Sequence, residues 1–207
     1  MDLVRRVADL YSPMGRLCQM YVRFRLWLAG LDRIGAYLPR AGGVLDLGCG
    51  LGTTANYLAL EEPGRSVVGL DSDRRSIDRA LQTVGHRENI AFRVGDVRRM
   101  ELPECQAVVV TDFLHHLSYQ EQDELLDRVY GRLAQGGLIL IQEVGTAPLW
   151  KQSLSYMVDL LVYREWPRYR SSPEWTQLLA EKGFRGVRVL PGDAGIPFAR
   201  VSYLAFR

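Results

Sequence analysis

Three glycines at alternate positions, Gly48, Gly50 and Gly52, stand in the stretch VLDLGCGLGTTANYL, between a short apolar run and a helical pattern. A strand, a turn almost without side chains and a helix present backbone N–H groups and let a ligand approach the main chain. Asp46 precedes the glycines inside the run, and Asp71 follows them by about 20 residues. A carboxylate at the end of a strand offers two acceptor oxygens to a diol. Asp112, His115 and His116 cluster after a later apolar run. Imidazoles titrate near neutrality and act as general bases. The residue types therefore fit a ligand-holding turn beside a proton-transfer group.

These residues need a scaffold that brings their strand ends together. From Val44 onward, short apolar runs alternate with helical patterns. The runs are VLDL (Val44 to Leu47), SVVGL (Ser66 to Leu70), IAFRV (Ile90 to Val94), AVVVT (Ala107 to Thr111) and LILIQEV (Leu138 to Val144). Runs apolar on both faces suit strands covered by helices on both sides. The intervening segments, Thr53 to Leu60, Arg74 to Leu81 and Gln120 to Leu133, fit crossover helices, the last stopped by Gly136-Gly137. Two further runs, Val187 to Leu190 and Val201 to Phe206, are joined by a short loop and predict an antiparallel final pair. The expected fold is α/β: a Rossmann-like, doubly wound, mostly parallel seven-stranded sheet with an antiparallel C-terminal pair.

A single domain over 1–207 is expected. It divides into a helical cap over 1–40, a ligand-binding core over 41–147, a lid over 148–171 and a C-terminal helix and strand pair over 172–207. Ser172 reads as the N-cap of the C-terminal helix, with Pro173 at its first position. In the cap, Leu17, Met20, Tyr21, Phe24, Leu28 and Leu31 form an apolar stripe. Packing on the sheet explains it; so does contact with a membrane surface or with an acidic helix of a carrier protein.

The spacing of the glycine turn argues against a dinucleotide. The dinucleotide fingerprint is G-x-G-x-x-G, and here Thr53 stands where its third glycine would be. In its motifs the chain resembles the class I S-adenosylmethionine-dependent methyltransferases, in their small-molecule branch. VLDLGCGLG is similar to the first motif, VVGLDSD to the second, RVGDVRRM to the third and TDFLHHL to the fourth. GRLAQGGLILIQE resembles the approach to strand five. The resemblance runs from about Ala41 to Glu143.

It implies S-adenosylmethionine as cofactor, with S-adenosylhomocysteine as product. Gly48, Cys49, Gly50 and Gly52 would lie along its methionine part, with Asp46 organising the amino group. Asp71 would take the ribose hydroxyls, with Ser72 beside it. Asp96 would accept from the adenine amino group, with Val97 against the ring and Thr111 at the end of strand four. Each residue also has a plain reading: Asp71 as the cap of the next helix, Asp96 as a turn residue.

His116, His115 and Asp112 are the candidates for acid–base work on the acceptor. Two adjacent histidines on a turn point in different directions, so one of them faces the cleft. No Asn/Asp-Pro-Pro-Tyr/Phe stretch follows strand four, and no Asp-Asn pair follows strand five. Amino-group methylation of nucleobases is therefore disfavoured, and no metal is expected.

The acceptor's walls are expected before strand one and after strand five. Tyr21, Trp150, Tyr156 and Tyr163 are the candidate contacts, with Lys151, Arg164, Arg168 and Arg170 among the aromatics. Such a wall suits a small apolar or aromatic acceptor with an anionic end. The loop from Gly192 to Phe198 is expected to close the pocket from the other side. A net charge of +2 gives no footprint for nucleic acid. Three widely spaced cysteines, Cys18, Cys49 and Cys105, fit neither a disulfide framework nor a zinc site and suit a reducing, cytoplasmic setting.

Overall fold

A computed structural model describes residues 2–31, 35–162, 166–192 and 198–207. Five strands arrive in parallel: β1 (Gly42–Leu47), β2 (Arg65–Asp71), β3 (Ile90–Val94), β4 (Cys105–Thr111) and β5 (Leu133–Val144). β6 (Arg185–Pro191) and β7 (Arg200–Phe206) complete one seven-stranded sheet in the order β3-β2-β1-β4-β5-β7-β6. β7 runs antiparallel to both of its neighbours, as expected for the final pair.

Burial alternates residue by residue along the central strands. Val44, Val109 and Leu140 face one core, shared with α1 (Leu3–Asp9), α2 (Arg16–Ala29), α3 (Thr53–Glu61) and α4 (Arg74–Gln82). Leu45, Val108, Val110, Ile139 and Ile141 face the other, shared with α5 (Tyr119–Arg132) and α7 (Ser172–Glu181). Between them, α6 (Leu149–Val162) follows β5. Period-two alternation in runs that are apolar throughout is what a sheet covered on both faces requires.

Three local expectations are corrected. The helix before β5 ends at Arg132, not at the glycine pair. Leu133 is already extended and pairs with Cys105, and Gly136, at φ +74°, lies inside β5. The N-cap of α7 is Ser171, not Ser172. Ser171 and Glu174 bond each other's backbone reciprocally, so Pro173 falls at the second helical position. Four members of the apolar stripe on α2, Leu17, Met20, Tyr21 and Phe24, are exposed, Leu17 at 83%. The face that packs inward carries Val22, Leu26 and Ala29. Periodicity found an apolar face here but not the rotation of the helix.

Strand order reverses between β1 and β4, since β1 connects outward to β2 while β4 lies on its other side. Such a switch point opens a crevice beyond the carboxyl ends of the two strands. The glycine turn leaves β1 at that place, and Thr111-Asp112 leaves β4.

Candidate active site at the switch point

The glycine turn is fixed from behind and open in front. Gly48 and Cys49 both donate to the Leu70 carbonyl, at 2.9 and 3.1 Å. Gly48, Gly50 and Gly52 have φ of +70°, +52° and +76°, where side chains are disfavoured. A Cβ on Gly48 would stand 2.3 Å from the Phe113 ring, and one on Gly52 would stand 2.4 Å from Phe92. A Cβ on Gly50 would meet nothing within 4 Å. Two of the glycines therefore admit neighbouring rings, and the third leaves open space above the turn.

Asp71 closes the front of this turn. Its Oδ2 accepts from the Gly50 amide at 2.7 Å and its Oδ1 from the Asp73 amide at 2.8 Å. Capping of α4 falls to Asp73, which accepts from the amides of Arg75 and Ser76. Asp71 is thus free of the cap role. With one amide on each oxygen, it keeps lone pairs for two hydroxyls. Asp46 lies beneath the turn, fully buried. Its Oδ2 accepts from the Ala55 amide at 3.0 Å, and its Oδ1 has no partner. Burial pushes this carboxyl up to about 7.

The end of β4 supplies the opposite wall. The Thr111 and Thr54 hydroxyls are 3.2 Å apart. Asp112 has φ +51°, the left-handed region for a residue with a side chain. Its Oδ2 meets Arg25 of α2 at 3.0 Å and Arg200 of β7 at 2.5 Å. Burial pushes the carboxyl up, but Arg200 and Arg25 outweigh it and hold it at about 2. Asp112 is thus an ion-pair partner of both arginines.

The two histidines divide. His116 lines the cleft. His115 is buried, with Nδ1 2.6 Å from Glu143 Oε2, while Glu143 Oε1 accepts from the amides of Phe113 and Leu114 at 3.1 and 2.7 Å. The two imidazole centroids are 4.2 Å apart, and Tyr169 lies 5.4 Å from His115.

Together these residues enclose a cavity of about 480 Å³, lined by Gly48, Cys49, Gly50, Asp71, Ser72, Thr111, Asp112 and His116, with Tyr21 and Arg25 from α2. Asp96 and Val97 are outside that lining. The Gly95 amide donates to the Asp71 carbonyl at 2.8 Å, so Asp96 starts from the neighbouring strand end. Its carboxylate is bonded to Arg98, at 2.8 Å from both Nε and Nη2, and this holds it below the usual range. Trp150 is exposed beside Lys151. The Tyr156 ring centroid lies 6.2 Å from that of Tyr169. Arg170, expected on the acceptor wall, pairs with Asp123 and Gln122 of α5 instead. Tyr163, Arg164 and most of the loop between Gly192 and Phe198 lie outside the described residues. Arg25 and Arg200 fall in no quoted motif, whereas Phe113 and Glu143 stand inside the fourth motif and the strand-five stretch without a role assigned to either.

The sequence model of the methyltransferase-domain family matches residues 21–189. The chain belongs to this family, the class I S-adenosylmethionine-dependent methyltransferases. This methyltransferase domain is 32% identical over 151 residues to acetylserotonin O-methyltransferase of Bos taurus, covering 70% of this chain and 43% of that protein. It is 31% identical over 187 residues to trans-aconitate 2-methyltransferase of Mycolicibacterium gilvum, covering 90% of this chain and 66% of that one. The chain thus spans less than two thirds of either relative. Among solved structures, human N-acetylserotonin methyltransferase in complex with SAM superposes with a TM-score of 0.66. That alignment is 26% identical and covers 80% of this chain and 47% of that one.

The residues at the switch point suit the family's cofactor. The space above Gly50 is open, Asp71 has acceptor capacity for a diol, and the buried Asp46 Oδ1 lacks a donor. The acids Asp71, Asp73 and Asp112 outnumber Arg25 in the lining, which favours a cationic ligand.

Proposed function

We propose that this domain transfers a methyl group from S-adenosylmethionine to a small, partly apolar acceptor. The observation that carries the proposal is the Gly50 amide bonded to Asp71 across an open switch-point cavity. The glycine turn with Cys49 lies along the methionine part, and Asp46 and Thr111 stand behind it. Asp71, with Ser72, takes the ribose hydroxyls. Asp96 and Val97 serve the adenine from the end of β3.

S-adenosylmethionine supplies a methyl group already activated on a sulfonium. The chain's work is to hold the acceptor atom in line with it, which is worth roughly 7–11 kcal/mol in a well-oriented pair. His116 takes the acceptor's proton as the acceptor's lone pair forms the new bond to carbon. The carbon–sulfur pair stays on sulfur, giving S-adenosylhomocysteine. Such a base adds about 10²–10⁴-fold. His115, held by Glu143, packs its ring against that of His116. Free cysteines throughout fit a reducing, cytoplasmic setting.

The experiment is thermal unfolding with S-adenosylhomocysteine. The ligand is expected to raise the melting temperature, and Asp71→Ala to abolish the shift. No shift with S-adenosylhomocysteine or S-adenosylmethionine sinks the proposal; a shift with NAD instead restores the dinucleotide reading.

One observation favours an addition to this reading. The exposed stripe of α2 is flanked by Arg16 and Arg23, and the helix contains no acidic residue. That composition suits peripheral contact with an anionic membrane surface beside the cleft, whose wall includes Tyr21 of the same helix.

A further inference from the structure

The glycine turn is also held from the N-terminal cap. The Ala55 amide would ordinarily close the first helical bond onto the Leu51 carbonyl, four positions back. That amide goes to Asp46 instead, at 3.0 Å. The Leu51 carbonyl accepts the Tyr11 hydroxyl, at 2.7 Å. Tyr11 follows α1, lies 40 positions from Leu51 and is fully buried. Leu51 itself lines the cofactor cavity.

Behind the hydroxyl stands a buried polar cluster. Asn56 of α3 donates from Nδ2 to the Tyr11 hydroxyl and to the Gly52 carbonyl, both at 2.9 Å, and Nδ2 is also 2.9 Å from the Thr83 hydroxyl. Its Oδ1 accepts from Arg87 Nη2 at 2.6 Å. Two consecutive carbonyls of the turn, Leu51 and Gly52, are thus held by side chains that also bond each other. The peptide between these two residues is pinned at both ends. Its carbonyl takes the Tyr11 hydroxyl, and its N–H, on Gly52, donates to the Cys49 carbonyl at 2.8 Å. A peptide unit is planar, so fixing one end fixes the other.

We propose that Tyr11 is a positioning residue for the cofactor: its hydroxyl, reaching in from the cap, sets the peptide plane that holds Cys49 and Gly50 in the cavity wall. The proposal rests on the methyltransferase reading above. Tyr11 does not line the cavity and acts through the turn. Without the hydroxyl, the Leu51 carbonyl and one Asn56 N–H are short of a partner, and the peptide is free to rotate away from both. The Gly50 amide then no longer stands where Asp71 meets it. The coupling runs in both directions. A cap that fixes the turn favours the ligand, and a ligand that fixes the turn steadies the cap.

The test is calorimetric titration of the full chain with S-adenosylhomocysteine. Tyr11→Phe keeps the ring and loses the hydroxyl, and is expected to weaken binding about 10-fold. Val7→Ala removes buried volume from α1 at a residue that does not line the cavity. It should lower stability and leave the affinity at the wild-type value. Hydrogen exchange on the wild-type chain keeps the test decisive if Tyr11→Phe does not fold. There the ligand should slow exchange of the α1 amides about 5-fold more than that of β6, at the far edge of the sheet. An affinity of Tyr11→Phe within about 2-fold of wild type, an equal loss in Val7→Ala, or no extra protection of α1 overturns the proposal. Failure of the wild-type chain to bind S-adenosylhomocysteine overturns the underlying methyltransferase reading instead.

Discussion

Glu143 and His115 form a sealed pair, with carboxylate and imidazole 2.6 Å apart and side chains only 2% and 4% exposed. The same carboxylate holds two amides of the turn that follows β4. One side chain at the end of β5 therefore sets the turn that carries His116 into the cleft.

Removing that side chain should unlatch the turn. Glu143→Ala leaves two amides and an imidazole without their acceptor, and a loss of about 3 kcal/mol is expected. Glu143→Gln keeps one oxygen for the amides and should lose about 1 kcal/mol. Urea unfolding measures both; midpoints equal to wild type for Glu143→Ala would refute the latch.

The glycines of the turn should separate folding from binding. Gly48→Ala drives a methyl into the Phe113 ring and should cost several kcal/mol of stability, on the order of 2–4. Gly50→Ala meets no atom, so its cost is the left-handed backbone alone, about 1 kcal/mol. Its methyl enters the space assigned to the ligand. Calorimetry should show S-adenosylhomocysteine binding lost in Gly50→Ala while the fold remains. Retained affinity would move the ligand off the turn.

Asp46 should make the apo domain less stable as pH rises. Its folded value, about 7, lies above the ordinary 3.8, so between these limits the folded state binds the extra proton. Stability then falls as pH rises from about 4 to 7, by at most about 4 kcal/mol at 1.36 kcal/mol per pH unit. Asp112 has the opposite sign. Its value of about 2 means that its contribution is complete above pH 4 and is lost as pH falls towards 2. Asp46→Asn should flatten the upper window and leave the lower one. Denaturant midpoints across pH 3 to 8 decide; an unchanged upper slope in the variant would contradict the assignment.

The exposed face of α2 makes its own prediction. Wild-type chain should co-sediment with vesicles containing phosphatidylserine, less so at high salt, and Met20→Glu with Phe24→Glu should abolish the association. Equal sedimentation of the double variant would place the contact elsewhere.

Sequence legibility followed sequence distance. Asp46, Gly48, Gly50 and Gly52 are read from one stretch because the left-handed turn they need is a local requirement. Asp71 was legible because it ends the very next strand. Arg200 and Asp112, by contrast, meet across 88 positions, and Glu143 and His115 across 28. No periodicity announces such pairs, because they exist only once β4, β5 and β7 lie side by side. In the stripe of α2, Leu28 and Leu31 are buried as packing on the sheet predicts, and the other four are exposed for a different reason. Two apolar arcs share that helix, one through Leu17 and Phe24 and one through Val22 and Leu26, and only tertiary packing chooses between them.

β7 lies between β5 and β6, although β6 precedes it in the chain. On a ribosome, β6 therefore emerges before the strand that must separate it from β5. Until residues 200–206 are made, the edge of β5 stays bare, and a bare edge invites wrong partners. The turn around Gly50 and its latch to Asp71 draw only on strands made much earlier. A nascent chain of this kind can close its glycine turn before the strand that completes its sheet exists.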